Sequence, residues 1–177
     1  MDVFKAIAGR RSVRTFKSDS ISEELLEKIL EAARWAPSAG NLQARDFILV
    51  KDAEVKKQLR EAALDQEFIE EAPVDVIVCA NEERSAQRYG ERGRSLYCLQ
   101  DATAAVQNIL LMVYNLGLGA CWVGAFNERL ASQILNLPRE IRPVAIIPIG
   151  YPAEKPLATS RMSLNDLVHI NRYKAKA

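Results

Sequence analysis

The stretch from Leu96 to Leu116 constrains the fold of this chain more than any other segment. It is the longest helical pattern in the sequence, and apolar residues fall on almost every face of it. An amphipathic helix needs one covered face, whereas a helix apolar all round has to be buried on all sides. Polar residues at Thr103, Gln107, Asn108, Tyr114 and Asn115 interrupt it, so it lacks the run of about 20 apolar residues that a membrane span requires. At 177 residues the chain reads as one domain with a substantial core. One domain of this size offers few places for a helix covered all round. A second copy would supply the missing cover, and the pattern predicts a homodimer with this helix in the interface.

Around that helix the sequence mixes helices and strands. Phe47 to Val50, Val74 to Ala80, Ala120 to Val123 and Val144 to Ile149 are short apolar runs suited to buried strands. Val55 to Leu64 and Asn127 to Leu135 have amphipathic helical spacing, the second with Asn127 as N-cap. A further helix carries the stripe Leu25, Leu26, Ile29, Leu30, Ala33. Ser20 and Glu23 read as its capping box, and Pro37 forbids its continuation. No linker, repeat or low-complexity tract divides residues 1–177. The N-terminus carries no apolar signal core. The three cysteines, Cys79, Cys98 and Cys121, are widely spaced and match neither a disulfide framework nor a zinc site. A reducing cytoplasm is the expected compartment, with no metal, membrane or nucleic-acid partner.

Arg10-Arg11-Ser12-Val13-Arg14 stands out in a chain of formal net charge +1. Three guanidiniums so close oppose one another unless an anion sits among them, and the planar guanidinium fork suits a phosphate. Taken alone, a solvated basic turn or a nucleic-acid patch competes with that reading. Pro37-Ser38-Ala39-Gly40-Asn41-Leu42-Gln43 is a turn of small and amide or hydroxyl residues, suited to hydrogen bonding with a sugar or polyol chain. Acid–base devices fit poorly. His169 is the only histidine and no nucleophile has an evident base. Gly117-Leu118-Gly119 lacks the third glycine of a dinucleotide fingerprint and lies between helix and strand in the reverse order. A chain without acid–base machinery suits an enzyme whose cofactor carries the chemistry. Arg84, Arg88, Arg92 and Arg94, with Tyr89, Gly90 and Gly93 among them, read as a loop: a solvated one, or a lid whose arginines attract NAD(P)H phosphates or an acidic substrate.

In order and spacing, RRSVR, PSAGNLQ, EEAPVDVIV, LGLGACWVGAF, IPIGYPAE and the late Ser160-Arg161 resemble the nitroreductase family of FMN-dependent oxidoreductases, from Phe4 to about Leu167. The resemblance implies an α+β sandwich, a central, mostly antiparallel sheet flanked by helices, dimeric, with two FMN sites at the interface. It implies that Arg10, Arg11, Ser12 and Arg161 hold the FMN phosphate and that Arg14 lies beside the pyrimidine edge of the flavin. Pro37, Ser38, Ala39, Asn41 and Gln43 match the turn that touches ribityl and ring from the partner subunit. Val123 and Gly124 match the segment whose backbone N–H points at N5, and Gln66 matches a ring contact. Two positions depart from the pattern. Ala44-Arg45 stands where members often have Pro-Trp or Pro-Phe, and Thr159 where some branches have lysine. The implied activity is ping-pong hydride transfer from NAD(P)H through FMN to a small acceptor such as a nitroaromatic or quinone. Other reduced-flavin chemistry (dehalogenation, ene reduction, flavin cleavage) and flavin binding without turnover are the alternatives.

Overall fold

The computed structural model describes residues 2–173. Its centre is an antiparallel sheet of β1 (Arg45–Val50), β2 (Val74–Asn81), β3 (Gly119–Ala120) and β4 (Ile141–Gly150), in the order β1-β2-β4-β3. The helices around it are α1 (Val3–Gly9), α2 (Glu23–Arg34), α3 (Ala53–Ala62), α4 (Phe68–Glu71), α5 (Glu82–Arg92), α6 (Cys98–Asn115), α7 (Glu128–Ile134) and α8 (Leu164–Leu167). Strand β2 is buried from Val74 to Ala80 because both faces of the sheet are covered, which is why it reads as an apolar run broken only by Asp75. Val74, Val76 and Val78, with Ala145, Ile147 and Ile149 of β4, face α6 and α2. Ile77 and Cys79, with Ile146, face α3, α4 and α7 through Leu59, Ile69 and Ala131.

Helix α2 starts at Glu23 with Ser22 as its N-cap, not Ser20. The Ser22 Oγ accepts from the Leu25 N–H at 3.4 Å. Ile21 and Leu26 are both buried in the same cluster, so an apolar staple across the cap selects Ser22 over its neighbour. Helix α7 has Asn127 as its cap, as the spacing predicts. Helix α6 packs Ala102, Ala105, Val106, Ile109 and Val113 inward, but Gln100, Thr103 and Gln107 form an exposed stripe. This chain alone does not bury the helix on all sides.

The arginine-rich segment 84–94 is helical rather than a loop. Its glycines act as joints: Gly90 breaks α5 at φ 54, and a π-turn from Gly93 to Tyr97 leads into α6. Only Ser85 of α5 is buried, so the segment has no apolar stripe to show in the sequence.

Candidate functional site

The basic loop Arg10–Arg14 is pinned to the edge of the sheet. Ser12 bridges Ala120, and the Val13 N–H donates to the Ala120 carbonyl at 3.0 Å. Lys17 N donates to the Tyr151 carbonyl at 2.8 Å and Ala153 N to that of Thr15 at 2.9 Å. The backbone of Arg14 donates to Glu154 Oε1 at 2.5 Å. These bonds leave the arginine side chains around one cavity of about 230 Å³, lined by Arg10, Arg11, Ser12, Arg14, Pro156, Leu157, Thr159 and Arg161. Arg161 reaches it from the far end of the chain. Its Nη1 is steadied by Thr159 Oγ1 at 2.6 Å and the Ser160 carbonyl at 2.9 Å. That gives Thr159 a positioning contact with Arg161. Arg11 is steadied likewise, by the carbonyls of Ala8 and Arg10 at 2.7 and 2.8 Å. Among the described residues no carboxylate lies within ion-pair distance of any of these four guanidiniums. A cluster of unneutralised arginines around a cavity has the charge and the donors that suit an anion.

The segment after β3 lies next to this cluster. Burial pushes the Cys121 thiol up, against the opposing pull of Arg14, Ser12 and Arg10. Val123 exchanges both backbone hydrogen bonds with Ile146, at 2.9 and 3.0 Å. Its N–H is therefore committed to the sheet, and of the expected pair only Gly124 has an N–H without a partner among the described residues. Gln66 is brought here as well. Its Nε2 donates to the carbonyls of Ala63 at 2.8 Å and Ala125 at 3.4 Å, tying the α3–α4 turn to the residue after Gly124. Phe126 packs against the second core cluster, whereas Trp122 is 39% exposed beside Gly124.

The turn Pro37–Gln43 is not part of this group. It sits at the other end of α6. Asp101, buried in the first turn of that helix, accepts from the backbone of Ala39 at 2.9 Å and Ala44 at 3.3 Å. Gly9, Arg10 and Arg11 meet the opposite end of α6 at Leu110 and Tyr114, around a second cavity of about 370 Å³. At 1.5 Å per residue, Asp101 and Tyr114 are about 20 Å apart along the axis.

The turn is held in an unusual shape. Gly40, Asn41 and Gln43 all have left-handed backbones, at φ 55, 56 and 51. Non-glycine residues in that region are uncommon and persist where their surroundings over-determine them. Ser38 Oγ accepts from Gln43 N at 3.0 Å. Buried Arg45 donates to the carbonyls of Ala36 at 2.6 Å, Arg34 at 3.0 Å and Pro37 at 3.1 Å, closing the end of α2. Asn41 and Gln43 remain exposed.

A model of the nitroreductase family matches residues 7–66 and 60–151. The chain belongs to the nitroreductase family. It is 34% identical to a protein of Methanothermobacter thermautotrophicus provisionally named NADH dehydrogenase/NAD(P)H nitroreductase, over 98% of this chain and 88% of that protein. The structure of nitroreductase A from Vibrio parahaemolyticus superposes with TM-score 0.92 and 29% identity, covering 100% of this chain and 79% of the other. The NADPH:FMN oxidoreductase of Vibrio harveyi, in complex with NAD+, superposes with TM-score 0.91 and 25% identity, covering 99% and 79%.

In this nitroreductase-family chain the sequence does not single out Asp101, and it marks Arg45 and Arg84 only as a departure from the family pattern and as part of an arginine-rich segment, not as the frame of the turn. Arg84 donates to the carbonyls of Gln43 at 2.7 Å and Arg45 at 3.1 Å and pairs with Asp46 at 3.0 Å. Together the three form the frame of the turn. The Ala44-Arg45 departure from the family pattern was the available signal. A charged residue after a polar turn points to a capping guanidinium once the helix before it is known to end there.

Proposed function

We propose that this chain is a homodimeric, FMN-dependent oxidoreductase that takes hydride from NAD(P)H and reduces a small acceptor of nitroaromatic or quinone-like character in ping-pong order. The observation that carries the reading is the group Arg10, Arg11, Arg14 and Arg161 around one cavity with no carboxylate partner among the described residues. Its size and charge suit a single phosphate. The names of the Vibrio and Methanothermobacter relatives point the same way.

When bound, FMN supplies a two-electron carrier that accepts hydride and passes it on. Arg10, Arg11, Ser12 and Arg161 would hold its phosphate by charge-assisted hydrogen bonds. Arg14, whose guanidinium lies 6.0 Å from the centre of the Phe68 ring, would place a fixed cation where negative charge develops on reduction. Gly124 would offer its unpaired N–H, with no side chain in the way. Ser38, Asn41 and Gln43 would approach ribityl and ring from a second subunit, since within one chain α6 separates the turn from the basic loop.

The test is the visible spectrum of the purified protein, followed by reconstitution with FMN and anaerobic titration with NADH and NADPH. A flavin band near 450 nm, bleached by one or both nicotinamides and restored by a quinone, is the expected result. Protein that neither carries FMN nor takes it up overturns the assignment. FMN that binds but is reduced by neither nicotinamide leaves flavin binding without turnover.

A further inference from the structure

The arginines of α5 and the π-turn divide into two pairs. Arg84 is paired with Asp46 at 3.0 Å and Arg94 with Glu83 at 2.8 Å. Arg88 and Arg92 have no carboxylate partner among the described residues, although Glu91 lies between them in sequence. Each lies instead on a tyrosine. The Arg88 guanidinium is 5.5 Å from the centre of the Tyr89 ring, and that of Arg92 is 5.3 Å from the centre of Tyr97. The two rings meet edge to face at 5.1 Å and 87°. Arg92 Nε also donates to the Tyr97 hydroxyl at 2.9 Å. Stacking restrains a guanidinium through its face and leaves the donors at its edge available. Two solvated arginines four residues apart on a helix would diverge. Here the break at Gly90 and the tyrosine pair hold them as one unit.

The unit touches the turn Pro37–Gln43. A side chain on Gly40 would meet the Tyr89 hydroxyl at 2.5 Å and Arg88 Nη1 at 2.9 Å. Arg88 and Tyr89 are therefore pressed against the turn at the residue before Asn41. We propose that Arg88 and Arg92, laid on Tyr89 and Tyr97 at the edge of the flavin turn, recognise an anionic oxygen group, phosphate or carboxylate, on the molecule that reacts with the flavin. This rests on the flavin-binding reading above. The group has two sources in such a reaction: the phosphates of the nicotinamide dinucleotide, or the carboxylate of an acidic acceptor. Within one chain this pair is separate from the basic loop, whose Arg10 and Arg11 line a cavity with Leu110 and Tyr114 at the opposite end of α6.

The test uses FMN-loaded protein and two probes, 2′,5′-ADP and 4-nitrobenzoate, titrated by calorimetry into wild type, R88Q/R92Q, R88K/R92K and R129Q. Arg129 lies on α7 beside a different surface hollow and serves as the charge control. The double glutamine variant should weaken one probe about tenfold, the scale of losing charge-assisted hydrogen bonds. The double lysine variant should recover part of that, and R129Q should match wild type. A change confined to 2′,5′-ADP assigns the site to the dinucleotide, and one confined to 4-nitrobenzoate assigns it to the acceptor. A second readout is the ratio of oxidation rates of the reduced protein by 4-nitrobenzoate and nitrobenzene. It should fall with the glutamine pair if the acceptor is the source. Unchanged binding of both probes, or no binding of either to wild type, overturns the proposal while the bound FMN keeps the flavin reading intact. Absence of bound FMN in wild type overturns both.

Discussion

Asp75 has no exposed surface, and neither oxygen of its carboxyl group has a hydrogen-bond partner. It lies on β2 opposite Pro148, on the sheet face covered by α3 and α4. Lys56 on α3 is the nearest compensating charge, but its Nζ donates to the carbonyls of Glu70 at 2.9 Å and Ala72 at 2.7 Å instead. Burial therefore raises the Asp75 pKa well above the usual carboxylate range, against the weaker pull of Lys56. The sign follows from linkage. A group whose pKa is raised in the folded state binds more protons folded than unfolded, so stability falls as pH rises from the unfolded pKa of about 3.9 to the folded one. Asp75→Asn should remove that slope, so that its stability relative to wild type rises by up to about 1.4 kcal/mol per pH unit between the unfolded and folded pKa of Asp75. Urea melts of both proteins at pH 4.5 and pH 8 should show the gap widening with pH. A gap that does not widen between pH 4.5 and pH 8 would mean that Asp75 is ionised in the folded protein and held by Lys56.

At the same scale, the cavity arginines separate binding from electronics. Arg161→Ala or Arg10→Ala should weaken FMN binding about tenfold or more, as expected for a lost charge-assisted phosphate contact. Arg14→Ala should instead lower the reduction potential of bound FMN by tens of millivolts, since about 30 mV corresponds to roughly 1.4 kcal/mol for a two-electron couple. Arg14→Lys should retain more of the potential, because a point charge suffices there. Spectroelectrochemical titration alongside FMN dissociation constants measures both. An unchanged Arg14→Ala potential with collapsed affinity would move Arg14 onto the phosphate.

Among the elements, the turn Pro37–Gln43 depends on α6 more than on its own residues. Asp101 accepts from both ends of it, and Arg45 and Arg84 hold the carbonyls around it. Asp101→Ala leaves the N–H groups of buried Ala44 and half-buried Ala39 without this acceptor, a loss of about 1–3 kcal/mol at the buried one. It should lower the melting temperature markedly and weaken FMN even in protein that still folds. Loss of stability with FMN affinity untouched would show that the turn does not contact the flavin. The polar composition of this turn is legible in the sequence, but its frame is not, because Asp101 lies 57 residues from Ala44, as the one charged residue of helix α6. The same distinction runs through the fold. Strands β2 and β4 and helices α3 and α7 show themselves by apolar spacing. Helix α5 does not, because it buries only Ser85, is broken at Gly90 and stops before Gly93. The arginine cluster is legible in part because Arg10, Arg11 and Arg14 adjoin in sequence, whereas Arg161 joins them from the far end of the chain. The Arg88–Tyr89–Tyr97–Arg92 unit depends on a helix break at Gly90 that composition alone does not specify.

The whole molecule has a surface that one chain does not cover. Phe4 of α1 is 72% exposed, and along the C-terminal arm so are Leu157 at 88%, Leu164 at 76% and Ile170 at 78%. Scattered exposed apolar residues are ordinary, but such runs along both terminal segments are what a second subunit would cover. The two halves of the proposed site lie at opposite ends of α6, about 20 Å apart along the axis. A dimer answers both facts if the basic loop of one subunit meets the turn of the other. This predicts complementation between subunits. Protein carrying Arg10→Ala and Arg161→Ala breaks one half, and protein carrying Ser38→Ala and Asn41→Ala breaks the other. Each should form a dimer that stays empty at an FMN concentration below its weakened dissociation constant. Co-expressed and purified through two different tags, the mixed dimer has one site with both halves broken and one with both halves intact. It should bind half a mole of FMN per chain at that same concentration, with near wild-type affinity. Light scattering checks the mass, and absorbance near 450 nm counts the flavin. A mixed dimer as empty as its parents would mean that loop and turn of a single subunit serve the same flavin, and a stable monomer with a full complement of FMN would remove the need for a second subunit altogether.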